Sequence, residues 1–171
     1  IYAPQGDAIY FTRNITPGNT FIYAQDSNSG IFAVERLDVA TGEVITAISG
    51  FGGAVRPTPS PDGKYLSFVR RDKDQSQLWV KNIETGVEHM VYGDLDQDMQ
   101  ETWAVYGAYP NMDWMPDSGS IVFWAGGKIR RVKVDGSGGQ VIPFAINDTR
   151  AILGAPHPTI EVSPATFETK I

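Results

Sequence analysis

Ser60-Pro61-Asp62-Gly63-Lys64-Tyr65-Leu66-Ser67-Phe68-Val69-Arg70 is the stretch whose reading decides the fold, because the chain carries it in three copies. It aligns without gaps on Ala3-Pro4-Gln5-Gly6-Asp7-Ala8-Ile9-Tyr10-Phe11-Thr12-Arg13, 57 residues earlier. It also matches Met115-Pro116-Asp117-Ser118-Gly119-Ser120-Ile121-Val122-Phe123-Trp124, 55 residues later. Self-similarity at such a period marks a repeat architecture, in which each unit buries its apolar surface against its neighbours. Each copy is a turn followed by a strand: Pro presets φ at one turn position, Asp caps with its side chain, and Gly takes positive φ.

A second element follows each turn at a variable distance. It reads Arg36-Leu37-Asp38-Val39-Ala40-Thr41-Gly42, then Val80-Lys81-Asn82-Ile83-Glu84-Thr85-Gly86, and more loosely Arg131-Val132-Lys133-Val134-Asp135-Gly136-Ser137-Gly138. The Thr-Gly and Gly-Ser-Gly pieces are hairpin turns, which places further strands at residues 44–48, 88–92 and 140–143. One repeat is therefore a four-stranded antiparallel meander. The run Ile121-Val122-Phe123-Trp124 is apolar without alternation, which a sheet with one wet face does not permit, and radial stacking of blades covers both faces. The fold expected is all-β, a partial β-propeller of about three four-stranded antiparallel blades.

The expected divisions are residues 1–56 for a first blade incomplete at its N-terminus, 57–110 for a second with a long loop at 94–109, and 111–145 for a third. Residues 146–171 form an extended segment leading towards a further blade. The best helix signal, residues 98–106, amounts to a short turn inside a loop. The chain starts at Ile1 within a turn, so the natural start is expected to precede it. Propellers close with four to eight blades, and an open three-blade arc would leave two flat faces. Each would present about 500 Å² of apolar area, worth about 12 kcal/mol. That rivals the whole stability of a domain, about 5–15 kcal/mol, so a covering partner is expected: the remainder of the parent chain or a second copy.

Composition excludes several function classes. The formal net charge is -6 over 171 residues, whereas a nucleic-acid surface needs clustered Lys and Arg. The densest basic run, Lys128, Arg130, Arg131 and Lys133, lies on a strand that sends side chains to both faces, and reads as rim charge. There is no cysteine, hence neither a disulfide framework nor a thiolate metal site. No apolar run approaches the ~20 residues that span a bilayer, so no membrane insertion is expected.

The unit Ser60-Pro61-Asp62-Gly63-Lys64-Tyr65-Leu66-Ser67-Phe68, with its Pro116-Asp117 counterpart, resembles the repeat of TolB-like propellers. TolB itself, prolyl-oligopeptidase-type peptidases and several lyases share such blades, so this likeness speaks for fold rather than function. A narrower likeness covers roughly residues 57–145. Asp94-Leu95-Asp96-Gln97-Asp98-Met99-Gln100-Glu101-Thr102-Trp103-Ala104, then Tyr109-Pro110, Trp114, Pro116-Asp117-Ser118 and Ile121-Val122-Phe123-Trp124-Ala125-Gly126-Gly127-Lys128-Ile129, resemble the propeller region of large bacterial exported amidohydrolases. There, TolB-like blades precede a metal-dependent hydrolase barrel. The resemblance implies a non-catalytic module that scaffolds or gates that barrel, in a periplasmic or secreted protein. The alternative is a protein-binding propeller of the bacterial envelope.

The residues themselves offer little chemistry. The hydrolase barrel of that family opens its metal site with His-x-His, two imidazoles facing one side, while this chain has only His89 and His157. No catalytic residue and no cofactor ligand is therefore carried over. His89 falls in a strand and reads as a packed blade-edge imidazole, and His157, between two prolines, as an extended linker or contact segment. No Gly-x-Ser-x-Gly elbow occurs. Asp94, Asp96, Asp98 and Glu101 could wrap a cation, yet they fail as an EF-hand: Met99 stands where Gly must turn the loop and Val105 where a bidentate Glu is needed. Gly50-Phe51-Gly52-Gly53 lacks the phosphate-loop pattern, since Val55 stands at its last position. It reads as a turn before the next blade, and residues 15–30 as an enlarged hairpin loop. The loop at 94–109 is long, and Met99, Trp103, Tyr106 and Tyr109 make it too apolar for an idle solvent loop. They are the candidate interface residues, either plugging the propeller mouth or packing on a neighbouring domain.

Overall fold

The turn-strand unit at residues 60–70 sits in the middle of three antiparallel sheets. The computed structural model describes residues 1–18, 25–97, 111–151 and 154. The first sheet pairs β1 (Ala8–Asn14), β2 (Phe32–Asp38) and β3 (Val44–Ile48). The second runs β4 (Val55–Pro59), β5 (Tyr65–Asp72), β6 (Gln75–Asn82) and β7 (Glu88–Leu95), and the third β8 (Met112–Trp114), β9 (Ser120–Ala125), β10 (Lys128–Lys133) and β11 (Gln140–Ile142). Every neighbour in these sheets is the next strand in sequence, as a meander requires. The first sheet has three strands, and an isolated bridge from Tyr2 to Ile9 stands where its fourth would lie. Among the described residues a single 3-10 turn occurs, at Ser27–Ser29 inside the enlarged β1–β2 loop.

The repeated turns share their backbone hydrogen bonds, the N–H groups of Gly6, Gly63 and Ser118 donating to the carbonyls of Ala3, Ser60 and Met115, and side chains add to them. In the middle copy the Asp62 carboxylate accepts from Ser60 Oγ (2.6 Å) and from the Lys64 N–H (3.1 Å), while Ser60 Oγ accepts the Tyr65 N–H at 2.9 Å. Gly6 and Gly63 take φ of 74° and 72°, and Ser118, at the equivalent place in the third copy, takes 57°. Ser118 tolerates a glycine conformation while its Oγ accepts the Asp62 N–H at 3.1 Å, which ties the second sheet's turn to the third's. The second hairpin repeats as well. Asp38 Oδ1 accepts the N–H groups of Ala40 and Thr41, and Asn82 Oδ1 those of Glu84 and Thr85.

Two apolar layers hold the sheets together. Between the first and second lie Tyr10, Val34, Ile48, Leu66 and Phe68, with Trp79 packed against them. Between the second and third lie Val69, Leu78, Val80, Trp114, Ile121, Phe123 and Val132. β5 is buried over Leu66, Ser67, Phe68 and Val69 without alternation, because it has a sheet on each side. β9 behaves differently from the sequence expectation. Ile121, Phe123 and Ala125 are buried, whereas Val122 is half-buried and Trp124 is 38% exposed. Its second face is apolar but open, since it belongs to the last sheet of the arc.

A polar belt crosses between the first two sheets. Arg70 donates to Glu88 (2.9 Å) and to the carbonyls of Gly53 and Ser49, and its guanidinium lies 5.0 Å from the Phe68 ring and 5.1 Å from that of Trp79. Lys81 donates to the Ala47 carbonyl at 2.7 Å and pairs with the other Glu88 oxygen at 3.3 Å. Gly52 completes this junction. Its φ is +76°, and a Cβ there would stand 1.7 Å from the Arg71 carbonyl oxygen, so the turn Gly50-Phe51-Gly52-Gly53 admits no side chain at Gly52.

Candidate functional site

The residues singled out for chemistry divide between the described chain and the rest. Met99, Trp103, Tyr106 and Tyr109, together with Asp98, Glu101, His157 and the helical turn expected at 98–106, lie outside the described residues. Most of the extended segment at 146–171 does too. Asp94 and Asp96 are described. Both Asp96 oxygens face the Gly126 N–H, at 3.1 and 3.2 Å, so this carboxylate holds the β9–β10 turn against the end of β7. Among the described residues no three His, Cys, Asp or Glu side chains gather as a metal set would.

His89, on β7, lies half-buried with Nε2 2.7 Å from the Val134 carbonyl, to which the ring N–H donates. The imidazole therefore spans from the second sheet to the turn after β10. The basic run divides as its strand dictates: Arg130 stacks 5.5 Å from the Tyr92 ring and donates to the Ala125 carbonyl, while Arg131 donates to Ser120 Oγ at 2.8 Å. Burial raises the Tyr92 phenol above its ordinary value, against the opposing charge of Arg130.

The outward faces of the two end sheets carry matching apolar rows. On the first sheet Tyr2, Ile9, Leu37 and Val44 stand opposite one another across successive strands, with Tyr2 64% and Val44 46% exposed. At the other end of that face Ala33 is fully buried and Glu35 only 5% exposed, so the open apolar area is smaller than the whole face expected from sequence. On the third sheet the row is Trp124, Ile129 and Ile142.

A third feature was not visible in the sequence. Where β1, β4 and β8 converge, a groove of about 450 Å³ opens, lined in part by Thr12, Arg56, Asn111 and Asp113 and bordered by Phe11 and Met112. Arg56 has φ +58°, a conformation that stores about 1–3 kcal/mol in a non-glycine residue. The β4–β5 register slips between Val55 and Thr58, a bulge around it. Three contacts hold it: its N–H donates to Thr12 Oγ1 (3.3 Å), its carbonyl accepts from Thr58 Oγ1 (3.4 Å), and its guanidinium donates to Asn111 Oδ1. No carboxylate pairs with Arg56 among the described residues. Asp113 Oδ1 accepts the Trp114 N–H at 2.8 Å. The signal that could have found this site is Pro57, since proline inside a strand marks an edge or a bulge.

No family model matches the sequence, and no curated protein matches it. Solved structures do. TolB from Acinetobacter baumannii superposes with a TM-score of 0.61 at 18% identity, over 84% of this chain and 31% of its own. A putative TolB from Agrobacterium tumefaciens gives 0.56 at 16%, over 82% and 46%. An oligogalacturonate lyase in complex with manganese gives 0.51 at 18%, over 78% and 34%. The chain thus has the fold of a TolB-like β-propeller segment and spans less than half the length of these proteins. At such identities the likeness speaks for fold alone, and the same blades serve a lyase.

Proposed function

We propose that this chain is a non-catalytic propeller module that works through its surfaces, its two end sheets packing on further β-structure of the parent protein or on a second copy. The observation that carries this reading is the pair of open apolar rows, Tyr2-Ile9-Leu37-Val44 and Trp124-Ile129-Ile142. Sheet faces of that composition are stable in water only when stacked. The finer reading, that the module scaffolds or gates a metal-dependent amidohydrolase barrel in an exported protein, draws its support from the sequence resemblance over residues 57–145. A periplasmic or secreted location comes with it. Among the described residues no helix is long and apolar enough to cross a membrane.

The second reading, a protein-binding propeller of the bacterial envelope, draws its support from the TolB-like repeat at residues 60–68 and its Pro116-Asp117 counterpart. The two readings separate on what lies beyond these residues. A His-x-His motif further along the parent gene favours the hydrolase scaffold. Retention of a defined envelope protein on the immobilised module favours the binding propeller. The shared claim is tested by Val44→Glu and Trp124→Glu in the assembled protein. Assembly is expected to fail in both while the thermal midpoint of the isolated chain changes little. Unaltered assembly would remove the basis of the proposal.

A further inference from the structure

We propose that the inner groove is a carboxylate-binding site with Arg56 as its anchor, taking a ligand whose carboxylate adjoins an apolar group. The site is built from β1, β4, β8, the residue before β8 and Ile1, and contains none of the residues of the two open apolar rows. Arg56 is exposed, bears a full positive charge in a chain of net charge -6, and pairs with no carboxylate among the described residues. Other arginines spend their donors within the fold: Arg70 on Glu88, Arg36 on Asp7 and Asp38, Arg130 on the Ala125 carbonyl and Arg131 on Ser120 Oγ.

Its backbone is the stronger argument. Residues before proline are driven to extended conformations, yet Arg56 precedes Pro57 and sits at φ +58°. Glycine would occupy that conformation without strain, as it does at Gly52 and Gly53 just before β4. An arginine held there by contacts to Thr12 and Asn111, from the two flanking sheets, is a guanidinium fixed in place at the groove. The guanidinium has five N–H donors and Asn111 takes one, which leaves a planar fork suited to a carboxylate. Phe11 and Met112 border the groove and supply apolar contact for the rest of the ligand. Asp113 also lines it and opposes an anion, which provides a second handle on the site.

The ligand chemistry can come from a free aromatic acid or from the terminal carboxylate of a peptide. The whole chain is titrated calorimetrically with hydrocinnamate, with its uncharged amide, and with a short peptide ending in phenylalanine, free or amidated at its C-terminus. Saturable binding of the acids and loss of binding by both amides are expected. Binding of both acids identifies a site for free carboxylates, and binding of the peptide alone identifies a chain terminus. Arg56→Gly should weaken binding by about tenfold or more while the thermal midpoint holds or rises. Arg56→Lys, which keeps the charge without the fork, should fall between. Asp113→Asn should tighten binding severalfold. Equal binding of acid and amide, undiminished binding by Arg56→Gly, or no binding of either acid at about 10 mM would overturn the proposal.

Discussion

Replacing Glu88 with glutamine removes one charge while keeping the side chain's size, and so isolates the ion pairs that steady Arg70 and Lys81, the two second-sheet cations that reach the Ser49 and Ala47 carbonyls. Glu88 meets Arg70 at 2.9 Å and Lys81 at 3.3 Å, with side-chain exposures of 22%, 14% and 23% in that order. Two charges about 4 Å apart attract by roughly 4 kcal/mol at an effective dielectric near 20, whereas fully exposed pairs return about 0–1 kcal/mol. Glutamine still accepts one hydrogen bond, and Arg70 and Lys81 keep their backbone carbonyls. The expected loss for Glu88→Gln is therefore about 2 kcal/mol, between the limits for exposed and buried pairs. In urea, with a slope of about 2 kcal/mol per M, the midpoint should fall by about 1 M at unchanged slope. Arg70→Met should be no less damaging, because it also loses two carbonyls and the two rings. The double variant should recover about 1 kcal/mol or more relative to the sum of the singles. A loss below about 0.5 kcal/mol for Glu88→Gln, or strict additivity with Arg70→Met, would refute the claim that Glu88 anchors the two cations, Arg70 and Lys81, that reach the Ser49 and Ala47 carbonyls.

Gly52→Ala should destabilise by about 3 kcal/mol or more, because its Cβ would overlap the Arg71 carbonyl oxygen at a positive φ; a thermal melt within a few degrees of the parent would contradict this. Burial pushes the Asp62 carboxyl up, but hydrogen bonds from Ser60, the Lys64 N–H and Ser118 outweigh it, and its pKa is held below the ordinary 3.8. A group depressed in the folded state stabilises above its unfolded pKa and loses that contribution as pH falls through the folded one. Stability should therefore drop as pH is lowered from about 4, and Asp62→Asn should flatten that part of the profile. An unchanged profile would mean that Asp62 is not a source of it.

What the sequence made legible was whatever is local. The Pro-Asp-Gly turns and the Thr-Gly hairpins are encoded in four or five adjacent residues, and their φ values and side-chain caps follow from residue type. Strand order followed, because a meander pairs neighbours. Contacts between sheets were not legible. Arg70 reaches the Ser49 carbonyl across 21 residues and Lys81 the Ala47 carbonyl across 34, separations at which nothing in composition specifies a partner. The openness of Trp124 was hidden for a related reason: an apolar run looks the same whether or not a neighbouring sheet is present. Arg56 escaped because its conformation arises from a bulge set by the second sheet's register, not from its own preference. The interface expected at Met99, Trp103, Tyr106 and Tyr109 lies outside the described residues and awaits its own test.

The central claim is that three stacked sheets leave two apolar end faces in need of cover. Sedimentation velocity of the 171-residue chain across a hundredfold range of concentration tests it most directly. Concentration-dependent association, reversed by Trp124→Glu, is expected. A monodisperse monomer that unfolds cooperatively at every concentration would contradict it.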